Sequence, residues 1–340
     1  MKEKIRKATR KVLKKGPEKI EEIEEGLMHE TYSVTVEGEK YIIQFSGRED
    51  DSLKHNLKCY ELFQDTVPVP ETITKEVQEV NGQNFTTVEK IQGESTEKNV
   101  NPERTRNAGK TLAKIHSKAS FAHEGWIELR KEDRTPEELL EGLQLHNFEK
   151  DSLKRRKMDN IYDEKISVLK ENGFDVADSV EEFLRKNEGL FPEKFTAVPC
   201  HLDFSPDNVI YRGEKVSGVI DFDYMYAGLD VRDLVKSANS FWMHDPAADW
   251  SVRKEFYRAY QEVRELPENF EELEAFFRIE TLARLVASVI DLDEMNEDEK
   301  DRLEDIVNDI NRDVRMPPYD TDDNRKGYSK KYKEYKKEDR

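Results

Sequence analysis

Residues 201–223 read "HLDFSPDNVIYRGEKVSGVIDFD", and this stretch decides how the rest of the chain is read. The apolar runs "NVIY" and "VSGVIDF" flank Arg212-Gly213-Glu214-Lys215, a turn-forming tetrapeptide, so the pattern predicts a β-hairpin. Folding there sets Asn208 opposite Ile220 and Asp221, while Asp203 sits just upstream in a loop bent by Pro206. The open end of the hairpin thus gathers His201, Asp203, Asn208, Asp221 and Asp223. Crowded carboxylates repel one another unless a cation lies between them. An amide oxygen and a carboxylate oxygen, with room for water and phosphate, suit Mg²⁺. A further acid not needed for the metal can accept a proton from a hydroxyl. Metal, phosphate and a base beside a hydroxyl describe phosphoryl transfer. Taken singly, Asp203 and Asp221 would be read as surface turn acids; the combination with Asn208 carries the inference.

Bulk composition narrows the class. The chain has 340 residues, enough for two lobes, with 36% hydrophobic and 38% charged residues. Its net charge of -18 argues against nucleic acid as a partner, because phosphate backbones are repelled. That acidity fits either a salt-rich cytoplasm or attraction of cationic small molecules. Two cysteines, Cys59 and Cys200, make neither a disulfide framework nor a metal cluster, and a reducing compartment is expected. The basic start "MKEKIRKATRKVLKKG" lacks the apolar core of a signal peptide, and Ile5, Ala8, Val12 and Leu13 share a helical face. No apolar run approaches the ~20 residues needed to span a bilayer, so a cytoplasmic protein with no membrane partner is expected.

Outward from the hairpin, the pattern changes to helix from about residue 101. Upstream, residues 18–46 alternate as strands do, with a turn at Gly38 and another break at Gly26. Asp51–Gln64 reads as a helix ended by "VPVPE", and Asn81-Gly82 marks a hairpin turn. Downstream, helical periodicity dominates: Ala108, Leu112 and Ile115 share a face, and residues 137–186, 253–266 and 271–289 are expected to be largely helical. The "KRRK" at 154–157 is read as a solvated face. Residues 317–340, dense in charge with interspersed tyrosines, are expected to be disordered.

The spacing His201-Leu202-Asp203, four residues, Asn208, then Asp221-Phe222-Asp223 resembles the kinase catalytic loop and its following metal-binding motif. Asp223 stands where protein kinases carry Gly, and the activation-segment pattern "APE" is absent, against a protein kinase. With the later Asp233-Leu234 pair, the block resembles the aminoglycoside phosphotransferase and choline kinase superfamily. "AGKTLAKIHS", with Leu112, Ala113 and His116, and "SLKHNLKCYELFQDTVPVPETI" resemble that superfamily's large-lobe and small-lobe helices. "DLVKSANSFW" is similar to its homoserine kinases. The likeness runs from about residue 20 to 290.

The resemblance implies an α+β, two-lobed, protein-kinase-like fold, with a small antiparallel-sheet N-lobe and a mainly helical C-lobe. Residues 1–92 would form an N-terminal helix and the nucleotide-binding lobe, 93–316 the catalytic and acceptor-binding lobe, and 317–340 a charged tail. Asp203 would be the catalytic base. Asn208 and Asp221 would hold Mg²⁺ against the phosphates of ATP. Backbone groups of Glu89 and Ile91, in the hinge, would meet adenine, and the turn from Gly26 to Thr31 would cover the phosphates. His201 would brace the loop. The implied function is transfer of the ATP γ-phosphate to a hydroxyl of a small, possibly cationic molecule: an aminoglycoside-, choline- or homoserine-like acceptor. Oligomeric state is not legible.

One departure stands out. The third strand, which in this superfamily carries Lys or Arg, carries Gln44, and the helix position expected to hold its Glu partner is Asn56 or His55. A paired loss makes sense, because one charge left without its partner is costly. Gln44 also supports the alternative of a pseudokinase-like, nucleotide-binding regulator with little turnover. Asp223 either faces the acceptor or closes the loop. His116 is read as a helix-packing residue, Cys200 as a buried small residue, and Trp242 and Trp250 as core or lid packing.

Overall fold

Ile5 and Ala8 recur at helical spacing and are buried beneath α1 (Lys2–Leu13), as their pattern predicts. The computed structural model describes residues 1–23, 29–46, 52–95, 100–122, 124–127, 158, 160–243 and 251–290. β1 (Lys19–Ile23), β2 (His29–Val36) and β3 (Glu39–Ser46) follow α1. The β2–β3 turn falls on Glu37 and Gly38, both at positive φ (53° and 82°), the geometry that a two-residue hairpin needs to match strand twist. α2 (Ser52–Phe63) ends before the prolines at 68 and 70, which cannot continue a helix. β4 (Gln78–Val80) and β5 (Gln83–Glu89) turn at Asn81-Gly82.

These strands form one antiparallel sheet in the order β1-β2-β3-β5-β4. Strand alternation sends Tyr32, Val34, Ile43, Phe45 and Phe85 to the face that α1 covers. The opposite face presents Thr31, Ile42, Gln44 and Val88 to a cleft.

Beyond β5 the chain crosses into a helical lobe. Asn101 caps α3 (Pro102–His116), its side chain accepting from the N–H groups of Glu103 (3.1 Å) and Arg104 (3.0 Å), with Pro102 as first helical residue. β6 (Gly125–Trp126) is followed by wider π turns at Ile161–Ile166, which run into α4 (Ser167–Glu171). Gly173 (φ 77°) separates α4 from α5 (Val176–Asn187). Next come β7 (Val198–Cys200), β8 (Val209–Arg212), β9 (Lys215–Val219) and β10 (Tyr226–Gly228). The lobe is completed by α6 (Asp230–Met243), α7 (Ser251–Gln261) and α8 (Phe270–Ile290). β8 and β9 make the predicted hairpin, and β6-β10-β7 form a small second sheet.

α7 stops at Gln261 rather than at Leu266, where the sequence pattern carried it. Val263 is 43% exposed and adds no buried face to another turn, and Arg264 is drawn to Asp230 at 2.9 Å. Gly26, "KRRK" at 154–157, Trp250 and the tail 317–340 lie outside the described residues, as does the side chain of Trp242. Among the described residues no helix is long and apolar enough to cross a membrane.

The crossing between lobes is fixed by Gly93. Its φ of +147° and the carbonyl of Tyr211, 2.3 Å from where a Cβ would sit, leave room only for glycine. Glu94 and Tyr211 then exchange backbone hydrogen bonds (3.0 and 2.9 Å), which fastens the crossing segment to the hairpin. The hairpin is held from below by a continuous core. Fully buried Phe222 stacks on Phe63 of α2 (centroids 5.3 Å apart) and meets Tyr60 edge-on (6.0 Å). Replacing such a ring by Ala costs about 3–5 kcal/mol.

Candidate active site

The β8–β9 register pairs Val209 with Val219, so the next residues outward, Asn208 and Ile220, face each other. The Ile220 N–H donates to the Asn208 carbonyl at 3.0 Å, which seats Asp221 beside Asn208 as the turn chemistry predicts. Asn208 Nδ2 donates to the Asp203 carbonyl (2.9 Å) and to Asp203 Oδ2 (3.0 Å). Both amide hydrogens therefore go to Asp203, and the Asn208 amide oxygen turns to the cleft without a protein partner among the described residues. Asp221 adopts left-handed backbone (φ 60°), a conformation that Asp tolerates better than most residues. Its burial, and the nearby charges of Asp223 and Asp203, push its carboxyl up to about 6.

Asp203, Asn208 and Asp221 line a cleft of about 920 Å³ together with Gln44, Glu89 and Ile91. Every predicted site residue is thereby gathered in one place except Gly26, which lies outside the described residues. In the hinge, the Glu89 N–H donates to the Glu71 carbonyl (2.9 Å) and the Lys90 N–H to the Lys40 carbonyl (3.0 Å). An unpartnered amide oxygen and a carboxylate made costly to ionise form a donor set that a hard divalent cation fits. Asn208 and Asp221 are the residues that could hold it.

The loop carrying Asp203 hangs from one buried carboxylate. Asp233 Oδ2 accepts the His201 N–H at 2.9 Å and Asp233 Oδ1 the Leu202 N–H at 3.1 Å. His116 Nε2 lies 3.0 Å from Asp233 Oδ2, and His116 Nδ1 lies 2.8 Å from the Tyr260 hydroxyl. With Nε2–H donating to Asp233, Nδ1 accepts from the tyrosine. Burial alone would raise the Asp233 carboxyl, but the His116 hydrogen bond and the neighbouring charges outweigh it and hold it below the ordinary range. His116, read from sequence as packing, is thus part of the bracket that holds the loop. His201 braces it as expected: its buried ring, with Nε2 3.2 Å from the Ile220 carbonyl, is pushed below its ordinary pKa by burial. Cys200 is buried as expected.

Asn56 does something the sequence did not suggest. The pattern puts Asn56 or His55 where the superfamily's helix carries its Glu; the Asn56 side chain reaches the hairpin motif. Asn56 Nδ2 donates to Asp223 Oδ1 (2.5 Å) and Asn56 Oδ1 accepts the Phe222 N–H (2.8 Å). Asp223 Oδ2 also lies 3.5 Å from His29 Nε2. Asp223 therefore closes the loop against the small lobe. Gln44 keeps its amide in the cleft and makes no hydrogen bond to another described residue.

Sequence reasoning passed over Lys236. Its ammonium donates to the Leu202 carbonyl and lines the cleft near Asp203. The available signal was a lone lysine in the otherwise neutral run from Leu234 to Phe241.

Against known proteins, the model of the phosphotransferase enzyme family matches residues 19–276, well over half of the chain. Homoserine kinase of Zymomonas mobilis subsp. mobilis is 26% identical over 235 residues, covering 66% of this chain and 65% of that protein. Homoserine kinase of Beijerinckia indica is 31% identical over 93 residues, 27% of this chain and 29% of that one. The matches thus span less than two thirds of these curated relatives. Among solved structures, a thermostable mutant of aminoglycoside phosphotransferase APH(4)-Ia, in ternary complex with AMP-PNP and hygromycin B, superimposes with a TM-score of 0.64. It is 12% identical, over 92% of this chain and 97% of that one. Spectinomycin phosphotransferase APH(9)-Ia, with ADP and spectinomycin, gives 0.60 at 15% identity, over 92% and 97%. At such identities the likeness establishes the kinase-like fold.

Proposed function

Because the chain belongs to the phosphotransferase enzyme family, we propose that it moves the γ-phosphate of ATP to a hydroxyl of a small molecule. The observation that carries this reading is Asn208, which holds Asp203 with both amide hydrogens, takes the Ile220 N–H on its main-chain carbonyl and lines one cleft with Asp221. Asp203 orients the acceptor hydroxyl and takes its proton as the new P–O bond forms and the bond from the γ-phosphorus to the bridging oxygen breaks, releasing ADP. Asn208 and Asp221 are the ligands for Mg²⁺. When bound, the metal offsets the phosphate charge. Asp233 and His116 keep the Asp203 loop in register, and His201 spaces it from the Ile220 strand.

Glu89 and Ile91 offer backbone groups to adenine, and Gln44 donates a hydrogen bond to a phosphate oxygen. The turn that contains Gly26 covers the phosphates. Residues 1–92 serve the nucleotide and residues 93–316 the acceptor. The named activities of the curated relatives suggest a homoserine-like acceptor, and those of the structural neighbours an aminoglycoside-like one. Cys59 and Cys200, both buried thiols, suit a reducing cytoplasm. The alternative of a regulator with little turnover rests on Gln44 alone.

ADP release with Mg²⁺ should be screened over homoserine, choline, ethanolamine, aminoglycosides and sugars. An acceptor-dependent signal that Asp203→Ala lowers by about 10²–10⁴-fold supports the reading. A signal indifferent to that substitution, or no ADP with any acceptor, overturns it.

A further inference from the structure

The lower part of the cleft lies between α6 and α8. Lys236, Asn239 and Ser240 come from α6, and Thr281, Leu282 and Leu285 from α8. Asp203 stands at its upper edge.

Two of these side chains hold unspent hydrogen-bonding capacity of opposite kind. Lys236 is half-buried and uses one of its three N–H donors on the Leu202 carbonyl, leaving two. Asn239 is 3% exposed. Its Nδ2 lies 3.2 Å from Thr281 Oγ1, and that hydroxyl donates to the Phe277 carbonyl at 2.7 Å. Thr281 must therefore accept from Asn239, which fixes the amide with its oxygen the other way round. That oxygen, Asn239 Oδ1, is buried and has no partner among the described residues. Leaving such an acceptor unmade costs about 1–3 kcal/mol, and a ligand donor would remove the cost.

Lys236 and Asn239 are three residues apart on one helix, so their Cβ atoms lie about 5–6 Å apart on one face. From this pairing we infer that Lys236 and Asn239 anchor the acceptor, and that it is a short hydroxy amino acid: its carboxylate meets Lys236, its ammonium meets Asn239 Oδ1, and its hydroxyl faces Asp203. This deepens, and rests on, the phosphotransferase reading above. A polycationic aminosugar brings like charge to Lys236. A quaternary ammonium has no N–H for Asn239. The overall acidity of the chain, which pointed to cationic acceptors, is countered locally by this one lysine.

Three matched alcohols test the assignment: homoserine, 3-amino-1-propanol (the same molecule without its carboxylate) and 4-hydroxybutyrate (without its ammonium). A charge-assisted contact predicts kcat/KM for homoserine about 10–100-fold above that for 3-amino-1-propanol. Lys236→Met collapses that ratio toward one, chiefly through KM for homoserine, and Lys236→Arg restores part of it. Asn239→Leu lowers homoserine and 3-amino-1-propanol turnover more than that of 4-hydroxybutyrate. Calorimetric titration of homoserine and 3-amino-1-propanol into wild type and Lys236→Met, with AMP-PNP and Mg²⁺ present, reads the same ratio without turnover. Equal losses on all three alcohols in Lys236→Met would assign the lysine to the phosphate and overturn the proposal. Asp203-dependent turnover of an aminoglycoside or choline without homoserine turnover overturns it while leaving the kinase reading intact. If no acceptor yields Asp203-dependent ADP, both fall together.

Discussion

Asn56 and Asp223, 167 residues apart in sequence, are joined by a 2.5 Å hydrogen bond, and the same amide accepts the N–H of Phe222 at 2.8 Å. A small-lobe helix is thereby tied to the acid-rich motif at the end of the hairpin. In place of an ion pair with the third strand, the helix makes an amide clamp on the motif itself.

That clamp sets the first prediction. Asn56→Leu keeps the volume roughly but leaves the buried Phe222 N–H and an Asp223 oxygen without partners. The cost should be about 2–4 kcal/mol, a sum of two lost contacts at the upper range for charged groups. Denaturant unfolding midpoints measure it, and an unchanged midpoint would mean that the clamp contributes nothing. Asn56→Asp should be worse at pH 7.5 than at pH 5, because it sets a second carboxylate against Asp223.

The second concerns Asp221 and metal. Its carboxyl is raised from an ordinary 3.8 to about 6 by burial, then by Asp223 and Asp203. A raised acid favours folding while protonated. Its contribution is therefore full below pH 4, falls as pH rises through 6, and is flat above, a loss of about 3 kcal/mol. Asp221→Asn should accordingly stabilise the metal-free chain at pH 7.5 and change it little at pH 4. Mg²⁺ with nucleotide should raise the melting temperature of wild type at pH 7.5, less so at pH 5, and not that of Asp221→Asn. A pH-independent difference between the two chains would remove Asp221 from this role.

Asp233 gives the third. Asp233→Ala strips partners from the buried N–H groups of His201 and Leu202 and from His116, a loss of about 3–5 kcal/mol by analogy with other broken buried charge networks. Its depressed carboxyl stabilises the fold above pH 4 and loses that contribution as pH falls further. His116→Gln should show a smaller loss of stability and a drop in kcat with little change in KM for ATP, since the loop positions Asp203 without touching nucleotide. An effect confined to that KM would contradict the bracket.

Gln44 supplies the fourth. Its amide makes no hydrogen bond to other described residues, so Gln44→Ala should leave stability within about 0.5 kcal/mol. The same change should weaken nucleotide binding by roughly tenfold or less, the scale of one neutral hydrogen bond. Gln44→Lys should tighten ATP without requiring a helix Glu, because Asn56 is already committed to Asp223. Activity that appears only in Gln44→Lys would favour the regulator.

Much of this was legible because it is local. The turns at Gly38, Asn81-Gly82 and Gly213 follow from residues that accept their backbone angles, and strand alternation then fixes which side chains face α1 and which face the cleft. Asn208 comes opposite Ile220, next to Asp221, for the same reason: a short hairpin sets its own register. The end of α7 differs because the apolar pattern runs on to Leu266, which packs on the core from outside the helix, while Val263, between the helix end and Leu266, is exposed. The pattern along the chain places Asn56 or His55 at the Glu position without saying what either touches, and only the packing of α2 on Phe222 brings Asn56 to Asp223.

By itself, then, the sequence determined the hairpin, the trio Asp203, Asn208 and Asp221, and the division between a sheet lobe and a helical one, since period and turn chemistry act within about ten residues. The tertiary structure decided that Asn56 clamps Asp223, that Asp233 and His116 carry the Asp203 loop, and that Lys236 lines the cleft with Asp203. Those contacts join elements far apart in the chain. Burial makes each polar group take whatever partner the packed core brings within reach, and no spacing along the sequence encodes that distance.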